Sequence, residues 1–170
     1  IKKIFFPFYK SKDIKKLLNI IEKGKQNKNQ VAMFVGGCVR NFLANENIDD
    51  IDIATILSPD ELKAKLKNSE FKIIETGIDH GSVTIILNSS KFEVTTLRED
   101  IETDGRHAEV SFIDNWQQDS NRRDFTINSI YMDRKGKIYD PQNGRYDLKK
   151  KEIKFIGESA LRIEEDYLRI

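Results

Sequence analysis

With one cysteine, Cys38, in 170 residues, no disulfide can form within the chain, and nothing in the sequence asks for an oxidising compartment. No apolar run approaches the ~20 residues that a membrane-spanning helix needs. The opening IKKIFFPFYK is partly apolar, but Pro7 and Lys10 break it and no cleavage pattern follows, so it does not read as a signal peptide. Net charge is nearly absent as well. Lys and Arg number 29 and Asp and Glu 28, a balance of +1 that neither calls for nor excludes a nucleic acid. His80 and His107 lack zinc-ligand spacing and read as structural or loop residues. These absences point to a soluble, reducing compartment (the cytoplasm, if the source is bacterial) with no membrane partner. The chain starts with Ile rather than Met, which suggests a fragment or a processed product.

What is present fits one domain with a real core, at 38% apolar and 34% charged residues. Residues 11–23 repeat apolar side chains at helical spacing (Ile14, Leu17, Leu18, Ile21). Residues 31–35 read as a buried strand, Gly36-Gly37 as a turn and residues 39–44 as a helix. IDIATIL is a strand, and Ser58-Pro59-Asp60-Glu61 carries a capping box that opens a helix over 59–67. Strands follow at 71–77, 82–88 and 91–97, the last two joined by a short hairpin turn. A polar loop over 98–109 leads to a short strand at 110–114. DFTINSIYM reads as a helix, GKIYD and EIKFIG as short strands around a turn, and SALRIEEDYLRI as the start of a terminal helix. Trp116 is expected in the core. Strands mixed with helices predict an α/β or α+β domain built on a mixed sheet flanked by helices. Basic residues gather over 10–28 and in LKKKEIK, where they either touch phosphates or form solvated faces.

Two adjacent glycines between a strand and a helix are either a tight turn or a place where backbone N–H groups approach a phosphate. The stretch is not a Walker loop, since no Gly-Lys-Ser/Thr follows, nor a dinucleotide fingerprint, since Gly-x-Gly-x-x-Gly is missing. Arg40, in the first turn of the helix, could reach the same anion with both arms of its guanidinium. In DDIDIA, Asp50 and Asp52 lie two apart, so on a strand they share a face while Ile51 and Ile53 bury the other. Asp49 is out of period and reads as a turn residue. Glu93 alternates with Phe92 and Val94 in the same way. Any one of these acids alone could simply face solvent. As a set beside a phosphate-ready turn they favour an oxygen-rich site for Mg²⁺, with two metal ions activating a hydroxyl and stabilising a leaving pyrophosphate. In NRRDFTINS, Arg122 and Arg123 supply positive charge for a triphosphate. Asp124 and Asn128, four apart on a helix face, suit ribose hydroxyls. Cys38 reads as a small packing residue.

The ordered motifs GGCVRN, DIDIAT, FEVTTLR, DGRHAEVSF, RRDFTIN and EEDYLRI resemble those of the class II tRNA nucleotidyltransferases. These are the CCA-adding enzymes, with their bacterial poly(A) polymerase relatives, in the DNA polymerase β superfamily, and the resemblance runs from residue 31 to 170. It implies a polymerase β-like nucleotidyltransferase head over residues 1–157 and the start of a helical neck over 158–170. By this resemblance Asp50 and Asp52 are the metal-binding catalytic pair, with Glu93 the third carboxylate. Gly36, Gly37 and Arg40 form the nucleotide-phosphate motif, and Arg122, Arg123, Asp124 and Asn128 surround the triphosphate and sugar. Arg98, Asp100, Asp104, Gly105 and Arg106 lie in the family's flexible loop, which helps the pocket change from C to A addition. The chain departs from the family at Asn41, where Asp is usual, and so lacks one charge beside the phosphate turn.

Asp166 and Arg169, three apart on the terminal helix, match the pair that serves the family as a protein template for CTP and ATP. Asp can accept from the exocyclic amine of cytosine or adenine while Arg donates to a neighbouring ring acceptor, a pattern that uracil and guanine do not present. The expected reaction is attack of a tRNA 3′-hydroxyl on the α-phosphate of CTP or ATP. The family's helical neck, body and tail, which hold the tRNA, would lie beyond residue 170, so weak RNA binding is expected of these residues alone. A-adding and poly(A)-adding relatives share the same head motifs. A nucleotide-binding module without turnover is the reading from another class. A purely structural role calls for none of this arrangement, and oligomeric state is left open.

Overall fold

The computed structural model describes residues 7–24, 30–77, 80–101 and 110–160. A seven-stranded mixed sheet forms its centre, in the order β3-β4-β5-β2-β1-β8-β9. The strands are β1 Ala32–Val35, β2 Ile51–Thr55, β3 Lys72–Gly77, β4 Ser82–Leu87, β5 Ser90–Thr96, β8 Tyr131–Met132 and β9 Ile138–Tyr139. Strands β6 Arg98–Asp100 and β7 Val110–Phe112 make a separate antiparallel ribbon. Within the large sheet β2 and β5 run parallel, and the other pairs are antiparallel. No helix among the described residues is long and apolar enough to cross a membrane.

Three helices cover one face of the sheet. Helix α1 (Lys12–Glu22) buries Ile14, Leu17, Leu18 and Ile21, the predicted stripe, and starts where the Ser11 side chain accepts from the Ile14 N–H. Helix α2 (Gly37–Ala44) buries Cys38 and Val39. Helix α3 (Pro59–Leu66) buries Leu62 and Leu66 behind the predicted capping box, with Ser58 and Glu61 exchanging side-chain and backbone bonds. These side chains join Phe34, Ile53, Val83, Ile85, Phe92 and Val94 in the main core. Each fully buried Leu or Ile contributes about 1.5–3 kcal/mol, so the helical layer is held chiefly by this face.

The opposite face buries a smaller cluster of Met33, Val35, Ala54, Leu97 and Tyr131, with Trp116 of α4 (Trp116–Asn121) packed against it. Trp116 is therefore at the core's rim, partly buried, its ring edge-to-face with Tyr131 and the ring centres 5.4 Å apart. By strand alternation Asp52 points to this second face.

Several local expectations give way. DFTINSIYM is not an α-helix: Thr126–Asn128 form a single 3₁₀ turn, and Tyr131–Met132 join the sheet beside β1. Neighbouring backbone captures this segment, since Phe125 bridges Phe155, Thr126 N–H donates to the Lys154 carbonyl and Ile156 N–H donates to that of Asp124. EIKFIG consequently makes that one bridge rather than a strand of its own. The polar loop begins later than expected, because Arg98–Asp100 pair with Val110–Phe112. Helix α4 was unforeseen; Asn115 caps it, accepting from the Gln117 and Gln118 N–H groups. So was α5 (Gly144–Lys150), in place of the expected turn, where Asp140 accepts from Gly144 and Arg145 N–H. Of the predicted terminal helix, Ser159 and Ala160 are helical and the remainder lies outside the described residues.

Helix α5 seats directly on the 3₁₀ turn. A Cβ on Gly144 would come within 2.0 Å of the Thr126 carbonyl oxygen, so only glycine fits without moving backbone. Gly144→Ala is expected to lower stability by about 1–3 kcal/mol. Thermal unfolding checks this, and an unchanged midpoint would show that α5 is not seated in this way.

Candidate active site

Parallel pairing of β2 with β5 sets Asp52 directly beside Glu93. Gly36 ends β1 and caps α2 at φ 75°, a backbone region that only glycine occupies without strain. Its position against the acid is close, since a Cβ there would lie 3.4 Å from Asp52 Oδ2. The strand–turn–helix thus presents the N-terminus of α2 next to the Asp52 carboxylate. Asp50 precedes β2 and is exposed, whereas Asp52 is half-buried. Burial first, and then the Asp50 and Glu93 charges, push the Asp52 carboxyl above the usual range, against opposing pulls from Arg123 and Lys91.

Glu93 is more fully occupied. Its carboxylate accepts from Thr84 Oγ1 at 2.8 Å and pairs with Lys91 Nζ at 3.0 Å. Among the described residues no three carboxylate, imidazole or thiol groups converge tightly enough to hold a metal ion. The chemistry of the donors still fits a divalent cation at Asp50 and Asp52, two acids with too little neighbouring positive charge. Glu93 would first have to release Lys91. Cys38 is buried under this turn, donating to the Val35 carbonyl at 3.2 Å, and burial pushes its thiol up to about 12. Packing, not nucleophilic chemistry, is its role.

The nucleotide-motif residues fall into two linked groups. Arg40 donates from Nη1 to Asn128 Oδ1 at 2.7 Å, and Asn128 Nδ2 donates to Asp124 Oδ1 at 3.3 Å. The expected Asp124–Asn128 proximity therefore holds, created by the 3₁₀ turn rather than a helix face. Asn41 keeps the local support: its Oδ1 accepts from Arg40 Nε at 3.1 Å while its Nδ2 donates to the Asn47 carbonyl at 2.7 Å, a donation that a carboxylate could not make.

Arg122 and Arg123 form the second group, around a residue the motif reading passed over. Asp119, fully buried on α4, accepts from Arg122 Nε at 3.0 Å and from Arg123 Nη2 at 3.1 Å. Its burial pushes the carboxyl up, but Arg123, Arg122 and the Tyr131 hydroxyl outweigh this and hold it below the usual carboxylate range. An acid three and four residues before paired arginines was the available signal. Arg98 and Asp100, expected in a flexible loop, instead belong to the β6–β7 ribbon, and Arg98 donates to the His80 carbonyl. Asp104, Gly105, Arg106, Asp166 and Arg169 lie outside the described residues.

Residues 32–154 match the poly(A) polymerase head domain. The chain belongs to this family. It is 46% identical over 145 residues to the mitochondrial CCA tRNA nucleotidyltransferase 1 of Danio rerio, covering 84% of this chain and 34% of that protein. Against the CCA-adding enzyme of Oceanobacillus iheyensis it is 43% identical over 166 residues, 96% of this chain and 39% of the relative. The head domain also superposes on the crystal structure of the Bacillus stearothermophilus CCA-adding enzyme in complex with CTP, with a TM-score of 0.75 and 38% identity, covering 94% of this chain and 37% of that one. A tRNA nucleotidyltransferase complexed with a primer tRNA and an incoming ATP analogue matches at TM-score 0.62 and 26% identity, over 82% of this chain and 39% of that one. The chain thus spans little more than a third of the length of these proteins.

Asp52 carries a stability prediction. Because its folded-state pKa is raised, the folded protein binds the proton more tightly than the unfolded chain, and stability falls as pH rises from the ordinary aspartate range through the raised value. At pH 7 without divalent cations, Asp52→Asn is expected to unfold at a higher temperature than the wild type. The gap should close as the pH is lowered through that window. A variant whose stability deficit against the wild type grows as the pH rises would show instead that the carboxylate is stabilised as an anion.

Proposed function

We propose that this chain is the catalytic head of a CCA-adding tRNA nucleotidyltransferase, transferring C and A from CTP and ATP to tRNA 3′ ends and releasing pyrophosphate. The head ends near residue 157 in this reading, and a helical neck begins at 158. One observation carries it: in a chain of this family, Asp52 sits on a glycine turn, in register with Glu93 and within the field of Arg123. In that combination an acid without a direct ion pair lies against a phosphate-ready helix start, within the field of a guanidinium, which supports the reading.

In this mechanism Asp50 and Asp52 would hold Mg²⁺, with Glu93 joining for a second ion once free of Lys91. Mg²⁺, when bound, supplies a Lewis acid for the attacking hydroxyl and the departing pyrophosphate. The Gly36–Gly37 turn and the start of α2 receive phosphate oxygens through backbone N–H groups. Arg122 and Arg123 offset the triphosphate charge. Arg40, Asn128 and Asp124, already bonded in a row, present donors and acceptors to the sugar. Asp166 and Arg169 would read the base edge. The relatives solved with CTP and with a primer tRNA plus an ATP analogue support nucleotide and tRNA as the substrates.

The deciding experiment offers labelled CTP, ATP, GTP and UTP to tRNA transcripts ending before CCA, after C and after CC, with and without Mg²⁺. Ordered, Mg²⁺-dependent addition of C, C and A is expected. Addition of A alone, or of long A tracts, would assign the chain to the A-adding or poly(A)-adding relatives. Nucleotide binding without transfer would make it a binding module. Asp52→Ala should lower transfer roughly a thousandfold or more, the loss of several kcal/mol of transition-state stabilisation. Substantial residual activity would overturn the metal assignment.

A further inference from the structure

The Asp119 carboxylate is saturated from within the protein. Its Oδ1 accepts from Arg122 Nε at 3.0 Å and from the Arg98 backbone N–H at 3.3 Å. Its Oδ2 accepts from Arg123 Nε and Nη2 at 3.2 and 3.1 Å and from the Tyr131 hydroxyl at 2.7 Å. Tyr131 is itself fully buried, its hydroxyl also bonded to Arg123 Nε at 3.0 Å, and the Arg123 guanidinium carbon stands 5.3 Å from its ring centre. Trp116 closes the far side, ring edge against Tyr131. Both arginines are thus gripped along the edge nearest the protein. Nη1 and Nη2 of Arg122 and Nη1 of Arg123 have no protein partner among the described residues and are not sealed from solvent.

Charge does not balance around this carboxylate. Asp119 pairs with two guanidinium groups, those of Arg122 and Arg123, and receives only the backbone N–H of Arg98, whose own Nε lies 4.0 Å from Asp100. Arg98 Nε is buried with no hydrogen-bond partner. The charge of Arg123 is felt at Asp52, which ties the arginine pair electrostatically to the proposed reacting centre. One fixed acid at the inner edges, with free N–H groups at the outer edges, is how a pair of flexible side chains becomes a preorganised anion clamp.

We propose that Asp119 is a positioning residue for nucleotide binding: it locks the inner edges of Arg122 and Arg123, with Tyr131 as its brace, so that their free N–H groups meet the phosphates of the incoming nucleotide. This rests on the nucleotidyltransferase reading above. Asp119 does not touch the nucleotide, so its effect must scale with the phosphates present, which a merely structural acid would not produce.

The test is calorimetric binding of CTP and of CMP to the full chain in Mg²⁺, for the wild type, Asp119→Asn and Tyr131→Phe. The ratio of the two affinities does not depend on how much of a sample is folded. The wild type is expected to prefer CTP. Asp119→Asn, which turns an amide donor toward arginine donors, should cut that preference about tenfold or more, and Tyr131→Phe should cut it severalfold. An unchanged ratio in the variants, even with a lowered unfolding temperature, would reduce Asp119 to a structural acid and overturn the proposal. If Asp119→Asn does not fold, the ratio in Tyr131→Phe decides. A wild type with no preference for CTP over CMP would instead overturn the triphosphate reading, and this inference with it.

Discussion

Like charges set side by side on neighbouring strands are unfavourable, and this sheet places Asp52 directly beside Glu93 through the parallel pairing of β2 and β5. The surrounding structure compensates for that choice only in part. Thr84 and Lys91 satisfy Glu93, but Asp52 receives a glycine turn, a helix start and the distant field of Arg123 rather than a direct ion pair. The remaining deficit of positive charge is what the proposed cation would offset at this corner of the fold. The layer of α1, α2 and α3 packs on the other face of the sheet, so the larger core lies opposite these acids.

Much of this was legible because it depends on local pattern. The apolar stripe of α1, the capping box of α3 and the period-two alternation around Asp52 and Glu93 each carry their own physical signal within a few residues. Even the glycine pair resolves as expected, Gly36 taking the positive φ that turns β1 into α2. Where the reading failed, a distant partner had decided. The segment after Asp124 has apolar residues at helical spacing, yet its backbone bonds go to residues about thirty positions later, at Lys154 and Ile156. No local window contains that information. Arg98 and Asp100 were assigned to a loop for the same reason, since their strand partners lie across residues 102–109.

The candidate site divides in the same way. Candidates with an obvious chemistry could be picked out by type and spacing: Asp50, Asp52, Glu93, Arg40, Arg122 and Arg123. Asp119 was missed because a lone acid on a short polar stretch looks like surface, and its burial depends on Tyr131 and Trp116 closing over it. Asn41 taught the opposite lesson. Its departure from the family pattern removes a charge, but the amide still receives Arg40 and gains a donor bond to Asn47, so the support for Arg40 survives with different chemistry.

The proposed nucleotide side of the site also depends on a segment that carries no motif chemistry of its own. Asp147, buried on α5, accepts from Thr126 Oγ1 at 2.7 Å and from Lys154 Nζ at 2.7 Å. Those bonds, with the close seat of Gly144 on the Thr126 carbonyl, fasten the 3₁₀ turn that carries Asn128. Asn128 in turn holds Arg40, which reaches back to α2 and the glycine turn. A chain of contacts therefore runs from the helix at 144–150, through one turn of backbone, to the phosphate motif more than a hundred residues earlier. Arg40 is half-buried and its own helix supplies one side-chain partner, Asn41, so its orientation is set from both ends. Rigid support at both ends of a guanidinium is what limits its conformational loss on meeting an anion. By this argument the late helix belongs to the proposed nucleotide site as much as the glycine pair does.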